Sequence, residues 1–161
     1  MANLGTLSSG GGPVASSLNP VRGRANSMFF VLMDRYINWI SGRAKCQAFQ
    51  GIKSSEVCEI GPGVGANFDW FPSGARLHAI EPNVAMHGPL RRRAVASGVD
   101  LELHAVAAEC IPLGDESVDE VVCSLVLCTV PDPVAVLAEV RRILRPGGRF
   151  RFVEHVEGEQ G

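Results

Sequence analysis

The chain has 161 residues, which suits one domain, and its 46% hydrophobic content is enough for a buried core. A formal net charge of −2 argues against a nucleic-acid partner, because nucleic-acid binders need a basic surface that displaces counterions. No apolar run approaches the ~18 to 20 residues that cross a bilayer, so no transmembrane segment is expected.

The spacing of the cysteines and histidines argues against a disulfide-rich protein and against a metal-binding protein. The five cysteines form no C-x-x-C pair, and Cys58 and Cys123 lie in apolar runs, where a reduced thiol behaves as a small hydrophobic side chain. A reducing, cytoplasmic location is therefore favoured. The four histidines show no ligand-like spacing with one another or with the cysteines, and no metal site is predicted.

Residues 1–26 contain no Asp or Glu and are rich in Ser, Gly and Ala. Their composition fits either a disordered tail or an organellar targeting segment. The tail is favoured, because Arg22 and Arg24 are the only basic residues of this segment.

Residues 27–50 are predicted to form an amphipathic helix, because apolar residues recur at steps of three and four. The apolar positions are Met28, Leu32, Tyr36, Trp39 and Ile40.

Strand and helix patterns alternate through the remaining core, residues 51–161. With short connections, this order predicts an α/β fold with a Rossmann-like, doubly wound and mostly parallel sheet. Pro133 suits a helix first turn with Asp132 as its cap. The predicted strands are 56–60, 76–81, 100–106, 119–125 and 148–156, and the predicted helices are a short one over 66–72 and two longer ones over 83–97 and 133–144.

The first strand runs into Glu59-Ile60-Gly61-Pro62-Gly63-Val64-Gly65. Alternating glycines allow a tight turn and let backbone N–H groups approach a ligand, and the helix predicted to follow is expected to add N–H donors. Glu81 stands 20 positions beyond the first glycine, where a carboxylate can accept two hydrogen bonds from a ribose diol.

The spacing G-x-G-x-G differs from the dinucleotide pattern G-x-G-x-x-G. Glu59 would repel a pyrophosphate but suits a cationic amino-acid group. A nicotinamide dehydrogenase is therefore disfavoured, and an adenosyl cofactor is favoured.

A third motif, Leu144-Arg145-Pro146-Gly147-Gly148, precedes the fifth strand. With these motifs in this order, residues 54–156 resemble the class I S-adenosylmethionine-dependent methyltransferases, in particular the type 11, small-molecule branch. Residues 123–128 and 153–156 look like the methyltransferase-like group that includes alkyl thiol S-methyltransferases. The resemblance implies S-adenosyl-L-methionine as cofactor and a small-molecule acceptor, with a thiol as the most specific candidate.

The resemblance also implies site residues. Ala107 stands where many relatives carry an acid for the adenine amino group, which leaves the backbone N–H of Ala108 as the expected contact. Cys128 and His155, predicted to end the fourth and fifth strands, are the catalytic candidates, and a histidine can deprotonate a thiol or hydroxyl acceptor. A purely structural histidine is the alternative. The residues implied to bind the cofactor are Glu59, Gly61, Gly63, Gly65, Glu81, Ala108 and Leu125.

Two further expectations concern contacts outside this site. In class I methyltransferases the helix before the first strand often covers the cofactor, so a lid with Tyr36 and Trp39 is an expectation, and a helix simply packed on the sheet is the alternative. In membrane-associated relatives this region touches lipid, so peripheral membrane contact is also an expectation. The chain stops soon after the fifth strand, so the fold is expected to be incomplete at its C-terminal end, with an exposed strand edge open to oligomerisation. The alternative function is therefore a truncated, catalytically inactive cofactor-binding or interaction module.

Overall fold

The structure, a computed structural model, describes residues 41–154. The tail over 1–26, the lid residues Tyr36 and Trp39, and His155 lie outside the described residues. The division of the chain at residues 26 and 50 stays a prediction.

The described residues form a five-stranded parallel sheet with the strand order β3-β2-β1-β4-β5, which confirms the predicted fold class. The order reverses between β1 and β4, so the connections that follow these two strands go to opposite faces of the sheet and leave room for a ligand at that edge. The strands are β1 Glu56–Ile60, β2 Arg76–Ile80, β3 Asp100–His104, β4 Val118–Ser124 and β5 Leu144–Val153.

Three helices flank the sheet: α1, described over residues 41–49, α2 Val84–Ser97 and α3 Pro133–Ile143. The Asn83 side chain caps α2 by accepting from the Ala85 N–H. The Asp132 side chain caps α3, as predicted, because its Oδ1 accepts from two N–H groups of the first turn.

Both faces of the sheet are buried, and successive strand residues contribute to opposite cores. Val57 packs in one core beneath α1 and α2, whereas Cys58 packs in the other beneath α3. The first core also contains Phe49, Phe68, Leu77, Leu90 and Val122, and the second also contains Ile60, Val121, Val136, Val140 and Ile143.

The prediction of a short α-helix over 66–72 is wrong. The chain forms turns after the glycine loop and then one 3-10 helix, Phe68–Trp70. Pro72 cannot continue a helix, and the turn bonds Gly65 N–H to Pro62 O and Phe68 N–H to Gly65 O take up this short stretch. The α-helical N-terminus expected to supply donors is therefore absent at this point of the described chain.

Strand β5 begins at Leu144, directly after α3, and not near residue 148 as predicted. Leu144 pairs with Val118, and the next partners in register are Arg149 and Glu120, so residues 145–148 bulge opposite a single residue. The Leu-Arg-Pro-Gly-Gly motif is this bulge. β5 lies at the edge of the sheet, and oligomerisation through that edge stays a prediction.

Candidate functional site

A cavity of about 440 Å³ lies at the carboxyl ends of β1, β2 and β4. This volume is in the range of small-molecule sites, and the position is the one expected for a ligand at the reversal of strand order. Its walls come from four segments: the glycine loop, the residues after β2, residues 107–109, and the turn after β4. Five of the predicted cofactor residues line it: Gly61, Gly63, Glu81, Ala108 and Leu125.

Two glycines of the glycine loop, Gly61 and Gly65, lie so close to neighbouring side chains that a Cβ would not fit. A Cβ at Gly61 would lie 2.5 Å from Val126 Cγ2, so β1 and the turn after β4 could not approach as they do. Gly63 has φ +57°, and a Cβ there would meet nothing within 4 Å, because it would project into open space. Gly65 packs against Arg93 of α2 and does not line the cavity.

The Glu81 carboxylate bridges two segments of the cavity wall. Its Oε2 accepts from the Gly63 N–H at 3.1 Å, and its Oε1 accepts from the Asn83 N–H at 2.8 Å. Its backbone is fixed as well, because the carbonyl of Glu81 accepts from His87 Nε2 and its N–H donates to His104 O. Burial raises the pKa of Glu81, and the two backbone hydrogen bonds act in the opposite direction.

Glu59 lies beneath the glycine loop and is 1% exposed. Asn67 Nδ2 donates to Glu59 Oε1 at 2.7 Å, and both Glu59 Oε2 and Asn67 Oδ1 are buried without a donor among the described residues. Burial raises the pKa of Glu59 to about 7, although the Asn67 hydrogen bond and the charge of Lys45 lower it. Asn67 and Lys45 line the cavity, whereas Glu59 stands behind them.

The opposite wall is positioned by Glu154, to which sequence reasoning assigned no role. Its Oε1 accepts from the N–H groups of Val126 and Leu127, at 2.9 Å each, and from Cys123 Sγ at 3.6 Å. Leu125, which lies between Cys123 and Val126 in the chain, adopts φ +59° and donates its N–H to the Val153 carbonyl. The available sequence signal was an acidic residue at the carboxyl end of the strand beside β4.

Cys128 was predicted to end the fourth strand, and this placement is wrong. Strand β4 ends at Ser124, and the positive φ of Leu125 turns the chain away. Cys128 is exposed in the following loop and does not line the cavity.

The cavity wall at residues 107–109 contains a carboxylate, close to Ala107, where the sequence has no acid. Glu109, two residues beyond Ala107, lines the cavity and its Oε1 accepts from the Asp132 N–H at 3.4 Å. Helix α3 holds this segment: Glu139 Oε2 accepts from the Ile111 N–H at 2.7 Å, and Arg142 Nη2 donates to the Ile111 carbonyl at 2.9 Å. Arg142 also donates to the Leu113 carbonyl.

These walls fit an adenosyl cofactor with a cationic amino-acid group. Glu81 presents a carboxylate with free lone pairs to a diol, and the open space at Gly63 admits a ligand against the backbone. The two orphaned acceptors, Glu59 Oε2 and Asn67 Oδ1, lack a donor that an ammonium group or a bridging water would supply.

The family model described as "Methyltransferase domain" matches residues 58–152. The chain belongs to this family. Two relatives from Homo sapiens are similar to it: thiol S-methyltransferase TMT1A is 42% identical over 115 residues, and thiol S-methyltransferase TMT1B is 41% identical over 117 residues. These alignments cover 64% and 65% of this chain but only 43% and 44% of the relatives, so the chain spans less than half of their length.

Solved methyltransferase structures share the fold of this methyltransferase domain. A candidate S-adenosylmethionine-dependent methyltransferase from Methanococcus maripaludis superposes with a TM-score of 0.64 at 18% identity, and the match covers 83% of this chain and 63% of that one. The predicted class I methyltransferase resemblance is confirmed by the family match and this fold. Among residues 41–154, no helix combines the length and apolar character needed to cross a membrane.

Proposed function

We propose that this chain binds S-adenosylmethionine in the cavity at the carboxyl edge of the sheet and transfers the methyl group to a small-molecule thiol. The observation that carries the cofactor half is the hydrogen bond from the Gly63 N–H to Glu81, which joins two segments of the wall of that cavity. The thiol half is supported by the two relatives that are named thiol S-methyltransferases.

Each wall of the cavity has a proposed role. Glu81 accepts hydrogen bonds from the ribose diol, and the backbone at Gly61 and Gly63 lies against the ligand. Asn67 faces the ammonium of the amino-acid group, and Glu59 behind it interacts with that group through water. Ala108 contacts the adenine edge by its backbone N–H, and Glu109 is the nearest carboxylate on that wall.

When bound, the cofactor would supply a methyl group on a sulfonium sulfur, and the neutral thioether left when that carbon–sulfur bond breaks is a good leaving group. The protein then contributes mainly by aligning the acceptor and excluding water, effects worth ~7 to 11 kcal/mol. A thiol acceptor reacts as its thiolate, so one proton has to be accepted. We keep His155 as the candidate base, because it directly follows Glu154 at the end of β5; Cys128 stays a prediction without a contact to the cavity.

The first experiment is calorimetric titration of the chain with S-adenosylmethionine and, separately, with NADH. We expect saturable binding of S-adenosylmethionine alone and at least tenfold weaker binding by Glu81→Gln, because an amide NH₂ would face a backbone N–H. Asp100→Asn, at the opposite end of the sheet, is the matched control and should bind as the wild type does. A folded chain that binds neither ligand would contradict the cofactor assignment.

The acceptor is tested separately with labelled S-adenosylmethionine and panels of alkyl thiols, amines and alcohols. We expect label in the thiol products and a His155→Gln variant whose rate falls while its affinity for S-adenosylmethionine is kept. Binding without transfer to any panel would leave the cofactor site standing and favour the inactive binding module.

A further inference from the structure

A second group of chemically active side chains lies on the sheet away from the cofactor cavity. His78 of β2 stands opposite Glu102 of β3, and His104 follows two residues later on the same face of β3. One ligand atom from each of the three lies within 4.8 Å of the others. Spacing along the sequence predicted no metal site, because the residues meet only through the pairing register of two strands.

The His78 ring is oriented by a carboxylate on its far side. Its Nε2 lies 3.4 Å from Glu56 Oε2. A neutral ring that carries its proton on Nε2 can donate to this carboxylate, and its Nδ1 is then the nitrogen that can bind a metal ion. Nδ1 lies 3.5 Å from Glu102 Oε2.

Nδ1 of His78 is buried without a hydrogen-bond partner among the described residues, and the side chain is 8% exposed. His104 repeats the arrangement, because its buried Nε2 also lacks a partner and lies 3.6 Å from Glu102 Oε1. The two rings stack with centroids 5.8 Å apart. Two buried imidazole nitrogens without a hydrogen-bond partner therefore lie near the two oxygens of one carboxylate.

We propose that His78, Glu102 and His104 bind a divalent transition-metal ion, with Zn²⁺ as the probe. Two imidazole nitrogens and one carboxylate form a donor set that zinc accepts in proteins. Glu56 is the outer partner, because a carboxylate that accepts from the far nitrogen fixes the tautomer and strengthens the ligand.

The site would act on the fold next to the cofactor cavity. Strand β3 lies at the edge of the described sheet opposite β5, and a bound ion ties it to β2 through side chains. The carbonyl of His104 accepts from the Glu81 N–H at 3.0 Å, so the ion holds the backbone that positions Glu81. Arg76 donates to Glu102 Oε2 at 2.8 Å and competes with the ion for that carboxylate.

The test is Zn²⁺ titration of the full chain without a tag, after removal of metal. The three exposed cysteines would bind zinc on their own, so Cys46, Cys110 and Cys128 are replaced by Ser in all proteins compared. We expect one ion per chain. His104→Gln and Glu102→Gln should each lose at least tenfold in affinity, and Arg76→Gln should gain, because it removes the competing cation. Asp100→Asn, on the same strand but outside the group, should bind unchanged.

A readout on the unmutated site covers variants that fail to fold. Zn²⁺ should shift the ring resonances of His78 and His104 in the NMR spectrum and leave His87, which is hydrogen-bonded to Glu81 O, unmoved. Saturable binding that moves neither ring, equal affinities in all variants, or no binding by the folded chain would each overturn the proposal. The group would then be a polar face held by ion pairs to Arg76 and Glu56.

Discussion

Gly63 combines a positive φ with open space around the position of a Cβ. A methyl group added there should have two separate effects, one on stability and one on ligand binding. A non-glycine residue at positive φ costs roughly 1–2 kcal/mol, wherever it lies. In the cavity wall, the same methyl group also occupies space that a ligand would use. We therefore predict that Gly63→Ala destabilises the fold by ~1–2 kcal/mol and also weakens S-adenosylmethionine binding at least tenfold.

Gly74 provides the matched control for this prediction. It has φ +81°, a Cβ there would also meet nothing within 4 Å, and it lies in the turn before β2, away from the cavity. Gly74→Ala should show a similar loss in urea denaturation with unchanged cofactor affinity. Equal loss of affinity in both variants would mean that strain alone, and not contact with the ligand, explains the result.

Glu59 should make stability depend on pH. Burial raises its pKa from 4.5 to about 7, so between these values the folded chain binds more protons than the unfolded chain. The stability that this group contributes is therefore present below about pH 4.5 and lost as the pH rises through about 7. The whole window corresponds to on the order of 3 kcal/mol.

The Glu59→Gln variant tests that dependence, because its amide oxygen can still accept from Asn67 and carries no charge. In urea denaturation at pH 5 and pH 8, we expect the wild type to lose stability relative to the variant as the pH rises. A stability difference that is the same at both values would contradict a raised pKa for Glu59.

At the scale of elements, the site is built by carboxylates that connect one strand end to the next segment. Glu154 holds the turn after β4 to the end of β5, and Glu81 holds the glycine loop to the start of α2. Hydrogen bonds to charged groups are worth about 1.5–3 kcal/mol each, more than typical neutral ones. These bridges therefore fix the segments that line the cavity.

Glu154→Ala should remove the acceptor of two backbone N–H groups in the turn after β4. We predict a loss of ~2–4 kcal/mol in the free energy of unfolding, and weaker cofactor binding because Leu125 and Val126 line the cavity. Thr129→Val is the control in the same turn, since it removes one exposed hydrogen bond, from Thr129 Oγ1 to the Val126 carbonyl. It should cost about 1 kcal/mol or less; a larger effect than that of Glu154→Ala would contradict the bridge.

Helix α3 holds the segment after β3, which includes the cavity wall at residues 107–109, through Arg142. Arg142→Leu removes the donors that hold the carbonyls of Ile111 and Leu113, so the segment after β3 loses its anchor. We expect several-fold weaker binding of S-adenosylmethionine and of adenosine alike. Arg141→Leu, its neighbour on the same helix, should bind as the wild type does, and equal losses would show that helix stability matters and the anchor does not.

For the whole molecule, a ligand that fills the cavity at the carboxyl edge contacts segments that follow four strands, and so stabilises the fold as one unit. At a concentration 100 times its dissociation constant, S-adenosylmethionine should add about 2.7 kcal/mol of stability. For a domain of this size, that raises the melting temperature by roughly 5–10 °C. NADH at the same concentration is the control, and an equal shift with NADH would contradict a specific adenosyl site.

The sequence was informative where a feature depends on neighbouring residues. The glycine loop, the spacing to Glu81, and the Asp132 cap of α3 are all local patterns, and the fold class and family they indicated are confirmed. Cys128 does not end the fourth strand as predicted, because an apolar run does not reveal where a strand ends, and its catalytic role stays a prediction. Leu125 ends the strand by a positive φ, which a leucine gives no reason to expect.

The sequence by itself determined the parallel α/β sheet, the position of the glycine loop and the methyltransferase family, because strand and helix periodicity and turn chemistry are short-range properties. Only the tertiary structure decided that Glu154 anchors the turn after β4 and that Glu59 stands behind Asn67. It also decided that His78 and His104 meet at Glu102. These groups are joined by the register of the sheet and by burial, which depend on residues 8 to 28 positions apart in the chain.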